Sequence, residues 1–400
     1  MKVVHISHSD YIGGAAIAAY RIHCALIDSK IDSEMFVNSS LNNDCNVFSP
    51  VNLSHKLSIK TRKYFSLLVH NLLKSNDNSL HSLSILSSPY WIRRINESDC
   101  DIVHLHWFNH EMISISDVAR IKKPIVWTMH DMWGFCGSEH IPCDIRWQNN
   151  YTSSAKSTNN FPIDLDRWTW QRKLKHWRKP IAIVSPSFAH KEKIKSSSLM
   201  KHWPVSVIPN CLDTNIWKPF DQSVARDLLG YTNSDIIIAF GTFGSNLQSH
   251  KGYDLLVKAL KILSRTEANL KIIIFGKQKP ATNVSNDFPF PVDFIGHLHD
   301  QISLRTLYCA IDVFLVPSRQ ESFGQTALEA QSCGTPVVAF NTGGLTDIVK
   351  HMETGYLAMP FNPDDFAYGI KWSLNQLQKK ERCENWPNQN ISNIKLSPIE

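Results

Sequence analysis

Short β-branched runs alternate with helical stretches through both halves of this 400-residue chain, and no other feature of the sequence restricts its fold as much. Strands separated by a helix cannot close as hairpins; they line up in parallel, with the helices covering the sheet faces. In the first half, strands are predicted at Val3–Ser7, Glu34–Val37, Ile102–His106, Ile125–Met129, Ile181–Val184 and Ser206–Ile208, with helices that include Ala15–Ile27 and Arg167–Trp177. In the second, strands are predicted at Ile236–Phe240, Lys271–Phe275, Val292–Ile295, Val313–Val316 and Val337–Ala339, with helices starting near Gly252, Gln301, Gly324 and Gly344. The pattern predicts an α/β chain of two Rossmann-like domains, 1–210 and 211–380, linked through Asn210–Pro219 and followed by a tail over 381–400. Tyr151–Pro162, rich in Ser, Thr and Asn, predicts a loop.

Composition narrows the classes of function. A formal charge of +6 is modest for this length, so no nucleic-acid partner is expected. No run approaches the ~18 apolar residues of a membrane-spanning helix, and Met1-Lys2-Val3-Val4-His5-Ile6 reads as a strand, so the expected location is the cytoplasm. The nine cysteines are scattered and make no disulfide framework, which fits a reducing compartment. The segment His55–Leu73 mixes Lys56, Lys60, Arg62 and Lys63 with Phe65, Leu67, Leu68 and Leu72. Two readings of it are open: an amphipathic helix resting on an anionic membrane surface, or a helix turning its apolar side to the core.

Several residues are placed to carry chemistry. Glu321 and Glu329 stand eight apart around Phe323-Gly324, where a helix opens; its N–H groups and positive end suit a phosphate. Gly343-Gly344 follows the next strand. Lys251-Gly252 precedes another helix, and Gly13-Gly14 leads from the first strand into the first helix, where a doubly wound sheet presents backbone donors. His130 ends the strand Ile125–Met129, with Asp131 next to it as a candidate to orient the imidazole. His104 and His106 share one face of a strand, yet no compact Cys or His pairing accompanies them, so no metal is expected. Asp164-Leu165-Asp166 is best read as a helix N-cap.

Taken in order, these motifs resemble the retaining glycosyltransferases of family 4, and the stretch Trp127–Trp147 resembles bacterial O-antigen and colanic-acid-type enzymes within it. The resemblance implies a GT-B fold, two Rossmann-like domains facing each other across a cleft, the first on the acceptor side and the second binding the nucleotide-sugar. It implies roles for His130, Lys251 and Glu321 in transfer, and for Gly14, Lys251, Glu321, Phe323, Gly324 and Glu329 in donor binding. His106 and Trp107 would border the acceptor. The implied partners are a nucleotide-sugar donor and a glycan or lipid-linked glycan acceptor, with no cofactor and no nucleic acid; the basic segment then suggests contact with the cytoplasmic face of the inner membrane. This chain departs from the family pattern at Thr242, where an arginine is usual, at Cys211, where the linker usually has glycine, and in its short tail. A GT-B sugar-nucleotide epimerase and a noncatalytic sugar-binding or assembly protein are the alternative readings.

Overall fold

The computed structural model describes residues 1–73, 80–152, 164–242, 249–267, 269–276 and 287–379; the tail 381–400 and most of the loop after Tyr151 lie outside them. The chain divides into two compact units, Met1–Cys211 and Leu212–Glu400.

The first unit contains strands β1 (Lys2–Ser9), β2 (Asp32–Ser39), β3 (Val47–Phe48), β4 (Ile102–Leu105), β5 (Ile125–Thr128), β6 (Ala182–Ser185) and β7 (Val205–Val207). Its helices are α1 (Gly14–Asp28), α2 (Leu53–Leu73), α3 (Pro89–Glu97), α4 (Ile115–Val118), α5 (Leu165–His176) and α6 (Phe188–Ser196). The strands form one parallel sheet in the order β3-β2-β1-β4-β5-β6-β7, so the winding reverses between β1 and β4. Val4, Ile6, Val103, Leu105, Trp127 and Ile183 build its core, and tryptophans from the flanking segments pack there too, among them Trp91, Trp133 and Trp177.

The second unit contains β8 (Ile237–Gly241), β9 (Lys271–Phe275), β10 (Val292–Gly296), β11 (Val313–Val316), β12 (Val337–Phe340) and β13 (Gly355–Ala358). Helices α7 (Gln222–Leu229), α8 (Tyr253–Leu263), α9 (Gln301–Ala310), α10 (Gln325–Ser332), α11 (Leu345–Ile348) and α12 (Pro363–Lys379) complete it. The parallel order β10-β9-β8-β11-β12-β13 again reverses beside the unit's first strand, between β8 and β11. Every residue of β11 and β12 is buried, as expected of strands covered on both faces.

Each strand predicted from the sequence is present within two residues of its expected ends. Two strands are additional. β3 has two residues, too few for a pattern, and in β13 a Cβ on Gly355 would stand 2.0 Å from the Val337 carbonyl oxygen, so close strand approach explains a glycine that reads as a breaker. Asp164 caps α5, its carboxylate accepting from the Arg167 N–H at 3.0 Å. Cys211 has an ordinary negative φ, so the linker follows a backbone that does not need the family's glycine.

Gly252 shows how closely the loops of the second unit are pressed. Its φ is +68°, and an added Cβ would lie 1.9 Å from the Pro317 carbonyl oxygen. Gly252→Ala is expected to lower stability by about 2–4 kcal/mol, combining backbone strain with overpacking. Chemical denaturation measures it, and an unchanged midpoint would show that the two loops are not in contact.

Candidate active site

In an open parallel sheet, ligands bind beyond the strand C-termini where the winding reverses, because helices leave on opposite faces there and open a crevice. In the second unit that position lies beyond β8 and β11, and the loops after these strands carry Lys251 and Glu321. Their main chains are joined: the Arg319 N–H donates to the His250 carbonyl at 2.8 Å, and the Arg319 guanidinium grips Asp254 with two bonds of 2.7 Å. A third loop, after β12, closes on the same place. The Gly344 N–H donates to the Glu321 carbonyl at 2.9 Å, and at Gly343, with φ +56°, a Cβ would come within 2.2 Å of that same oxygen.

The Lys251 ammonium donates to the Glu321 carboxylate, which also accepts from the Ser318 hydroxyl at 2.9 Å. Burial by itself would raise the Glu321 carboxyl, but the Lys251 charge and these hydrogen bonds outweigh it and hold it below the usual carboxylate range. Burial, and then the neighbouring Lys251, push His250 down to about 4, so it is neutral at physiological pH. Gly324 caps α10 with φ +105° and no side-chain cap, and its missing Cβ avoids Leu345 at 2.8 Å. The Phe323 side chain is buried in the core, so what this residue can offer a ligand is its backbone. Glu329 is only 4% exposed, and its carboxylate accepts from the Tyr308 hydroxyl at 3.4 Å. The structure thus brings together Lys251, Glu321 and the glycine loops. It places Glu329 further along α10, buried, with its carboxylate bonded to Tyr308 of α9.

In the first unit Gly14 is the exposed first residue of α1, preceded by Gly13 at φ +90° with open space where a Cβ would stand. His106 and His130 extend from β4 and β5, and together with Trp107 and Asp131 they line a small cavity. Asp131 does not orient His130. Its carboxylate is taken up by His140 Nδ1 at 2.6 Å, Trp107 Nε1 at 2.9 Å and the Trp133 N–H at 2.9 Å. His130 is held by His106 instead, Nε2 to Nδ1 at 3.0 Å. The other edge of His106 meets His5 of β1 at 2.9 Å, a residue that reads as an ordinary strand position in the sequence. Burial lowers His130 to about 4 against the opposing charge of Asp131, and burial also holds His5 and His106 far below the usual imidazole value. Ser318, Arg319 and Asp254 were likewise invisible as site residues, since their roles depend on loops that meet only in the fold.

Comparison with known proteins places these geometries in context. The profile described as "Glycosyltransferase Family 4" matches residues 12–216, and that described as "Glycosyl transferases group 1" matches residues 237–389. The chain is similar to a D-inositol 3-phosphate glycosyltransferase of Segniliparus rotundus, 30% identical over 40% of this chain and 37% of that protein. It is 32% identical to an uncharacterized glycosyltransferase of Methanocaldococcus jannaschii over 51% of this chain and 53% of the relative. These matches span about half the length of the curated relatives or less. Among solved structures, Anabaena HepE in complex with UDP-glucose shares the fold, with a TM-score of 0.61 and 17% identity over 95% of this chain and 91% of that one. With a GT-B fold and a family profile covering more than half of its residues, the chain belongs to glycosyltransferase family 4.

Proposed function

We propose that this protein moves a sugar, with retention of configuration, from a nucleotide-sugar to a glycan or lipid-linked glycan acceptor in the synthesis of a bacterial surface polysaccharide of the O-antigen or colanic-acid type. The observation that carries this reading is the Lys251–Glu321 pair at the winding reversal, fixed by three loops that bond through their main chains. A donor diphosphate would take the Lys251 ammonium and the N-terminal amides of α10, releasing Glu321 to accept hydrogen bonds from sugar hydroxyls. Glu329 is proposed to serve the nucleotide ribose, Gly14 the diphosphate, and His106 with Trp107 the acceptor side. As the diphosphate leaves, positive charge develops on the sugar ring; the acceptor hydroxyl attacks the same face, and its proton passes to the departing phosphate. No metal is assigned a part, because a cationic side chain and amide dipoles supply the charge stabilisation.

The protein is proposed to work in the cytoplasm, against the inner-membrane surface. No described helix is long and apolar enough to cross a membrane. α2 contains no acidic residue, and it exposes Leu53, Leu57, Tyr64 and Leu68 beside Lys56, Lys60 and Lys63. Arg62, counted with these cations in the sequence, faces inward and donates to the carbonyls of Leu86, Glu111 and Ser87. The three lysines form the charged face, and each is worth ~1 kcal/mol at an anionic leaflet.

Screening purified protein against sugar nucleotides for binding, then testing transfer to a lipid extract, checks the reaction; binding without transfer or donor turnover would support a noncatalytic protein. Lys251→Ala is expected to reduce turnover at saturating donor by roughly 10²–10³, and near-normal turnover would remove Lys251 from the mechanism. Lys251→Met should raise the Glu321 carboxyl, since burial then acts unopposed, an effect read by carboxyl-carbon NMR titration. With Lys56→Glu, Lys60→Glu and Lys63→Glu combined, sedimentation with phosphatidylglycerol vesicles at low salt should weaken by about 100-fold or more; unchanged sedimentation would detach α2 from the membrane.

A further inference from the structure

His5, His106 and His130 lie across three neighbouring strands at the winding reversal of the first unit, on or just beyond β1, β4 and β5. The two N···N distances are 2.9 and 3.0 Å, the ring centroids are 5.2 and 5.3 Å apart, and the rings are inclined by only 24° and 22°. Each centroid separation equals the N···N distance plus about one ring width. The imidazoles therefore sit end to end, nearly coplanar, with each nitrogen aimed at the next.

A neutral imidazole has one N–H, so a central ring bonded on both edges must donate on one side and accept on the other. The three tautomers are consequently coupled, and only two arrangements exist. If protons point toward β1, His5 must carry hydrogen on Nε2. That nitrogen is buried and has no hydrogen-bond partner; the ring of His23 stands edge-on, 5.8 Å away between centroids. If protons point the other way, His5 donates from Nδ1 to His106, His106 donates from Nδ1 to His130, and the buried end is a bare lone pair. Orphaned buried N–H groups are rarer than bare acceptors, and the second arrangement moves the spare N–H from fully buried His5 to His130, which is only partly buried and borders the cavity.

We propose that His106, terminated by the dry end of His5, is a positioning residue that locks His130 as a neutral ring presenting Nδ1–H outward. His130 Nδ1 makes no hydrogen bond to any described residue, and its ring borders the cavity lined by Trp107, Asp131 and Trp133. His130 is then a hydrogen-bond donor to an oxygen, not a general base. Under the proposed sugar transfer, on which this assignment of a ligand rests, that oxygen is a sugar hydroxyl. The depressed imidazole values keep all three rings neutral at physiological pH. His5, His104 and His106 also bring one nitrogen each within 4.8 Å, a spacing that could suit a metal. Zinc at ~2.0–2.1 Å needs lone pairs converging on one point, while those of His5 and His106 oppose each other.

Long-range proton–nitrogen NMR of the full-length protein, labelled on histidine nitrogens, reads the tautomers without any substrate. The expected result is Nδ1–H on all three rings, with nitrogen–nitrogen coupling across both hydrogen bonds. Nε2–H or a charged ring at His130, or metal-shifted nitrogens that respond to chelator, would overturn the proposal. His106→Phe should release His130 into a tautomer mixture and lower transfer at saturating donor by roughly 10–100-fold. Should the substitution fail to fold, the wild-type spectrum decides alone. Absence of transfer activity with the expected spectrum would refute the sugar-transfer reading and leave the tautomer lock intact.

Discussion

The reversal of winding in each parallel sheet is the constraint on which the rest of this protein depends. Where successive helices leave on opposite faces, the loops at the strand C-termini have no helix above them and must be satisfied by one another or by a ligand. In the second unit they are satisfied by one another through main-chain contacts: Arg319 to His250, Gly344 to Glu321, and Gly252 against Pro317. Because backbone atoms make these contacts, the Lys251–Glu321 pair inherits the rigidity of the sheet. The carboxylate is desolvated there, but an ammonium and a hydroxyl compensate for it, so it stays ionised in a place where burial alone would neutralise it.

The first unit solves the same problem with charged side chains behind the strand ends and neutral imidazoles at them. The segment after β5 is held by side chains reaching from elsewhere. The Lys173 ammonium, 3.8 Å above the Trp133 ring, donates to the carbonyls of Trp133, Cys136 and Gly137. Arg146 joins Asp144, Asp164 and Asp166. Asp131 is absorbed by this stapling through His140, Trp107 and the Trp133 amide, which is why it is not available to His130. The imidazole must find its partner across the sheet, and β4 supplies it.

Much of this was legible in the sequence because it rests on local signals. Fully buried strands appear as β-branched runs, helix starts appear at Gly252, Gln301 and Gly324, and the order of glycines, lysine and acids carried the family resemblance. Contacts spanning long stretches of chain were not legible. His5 and His106 are 101 residues apart in the sequence, and only the register that pairs β1 with β4 makes them neighbours. Asp131 beside His130 suggested a local pair, yet sequence adjacency does not decide which side chain turns toward which. Arg62 looked like a membrane-facing cation for the same reason: helical spacing gives its face approximately, but not the three carbonyls that draw it inward.

The contrast between the two clusters has a chemical consequence. A charged imidazole attracts anions, whereas a neutral one has a single proton to give to a neutral oxygen. Burial disfavours the charged form of His130, and under the proposed tautomer lock the dry end of His5 leaves its outward nitrogen with a proton to give. Lysine suits the opposite role, since a partly exposed, compact charge on a flexible stem can leave its carboxylate when a stronger anion arrives. Under the proposed sugar transfer, the ionised pair suits recognition of charge and the neutral relay suits recognition of hydroxyls, and the surroundings in each unit set the protonation state of its own cluster.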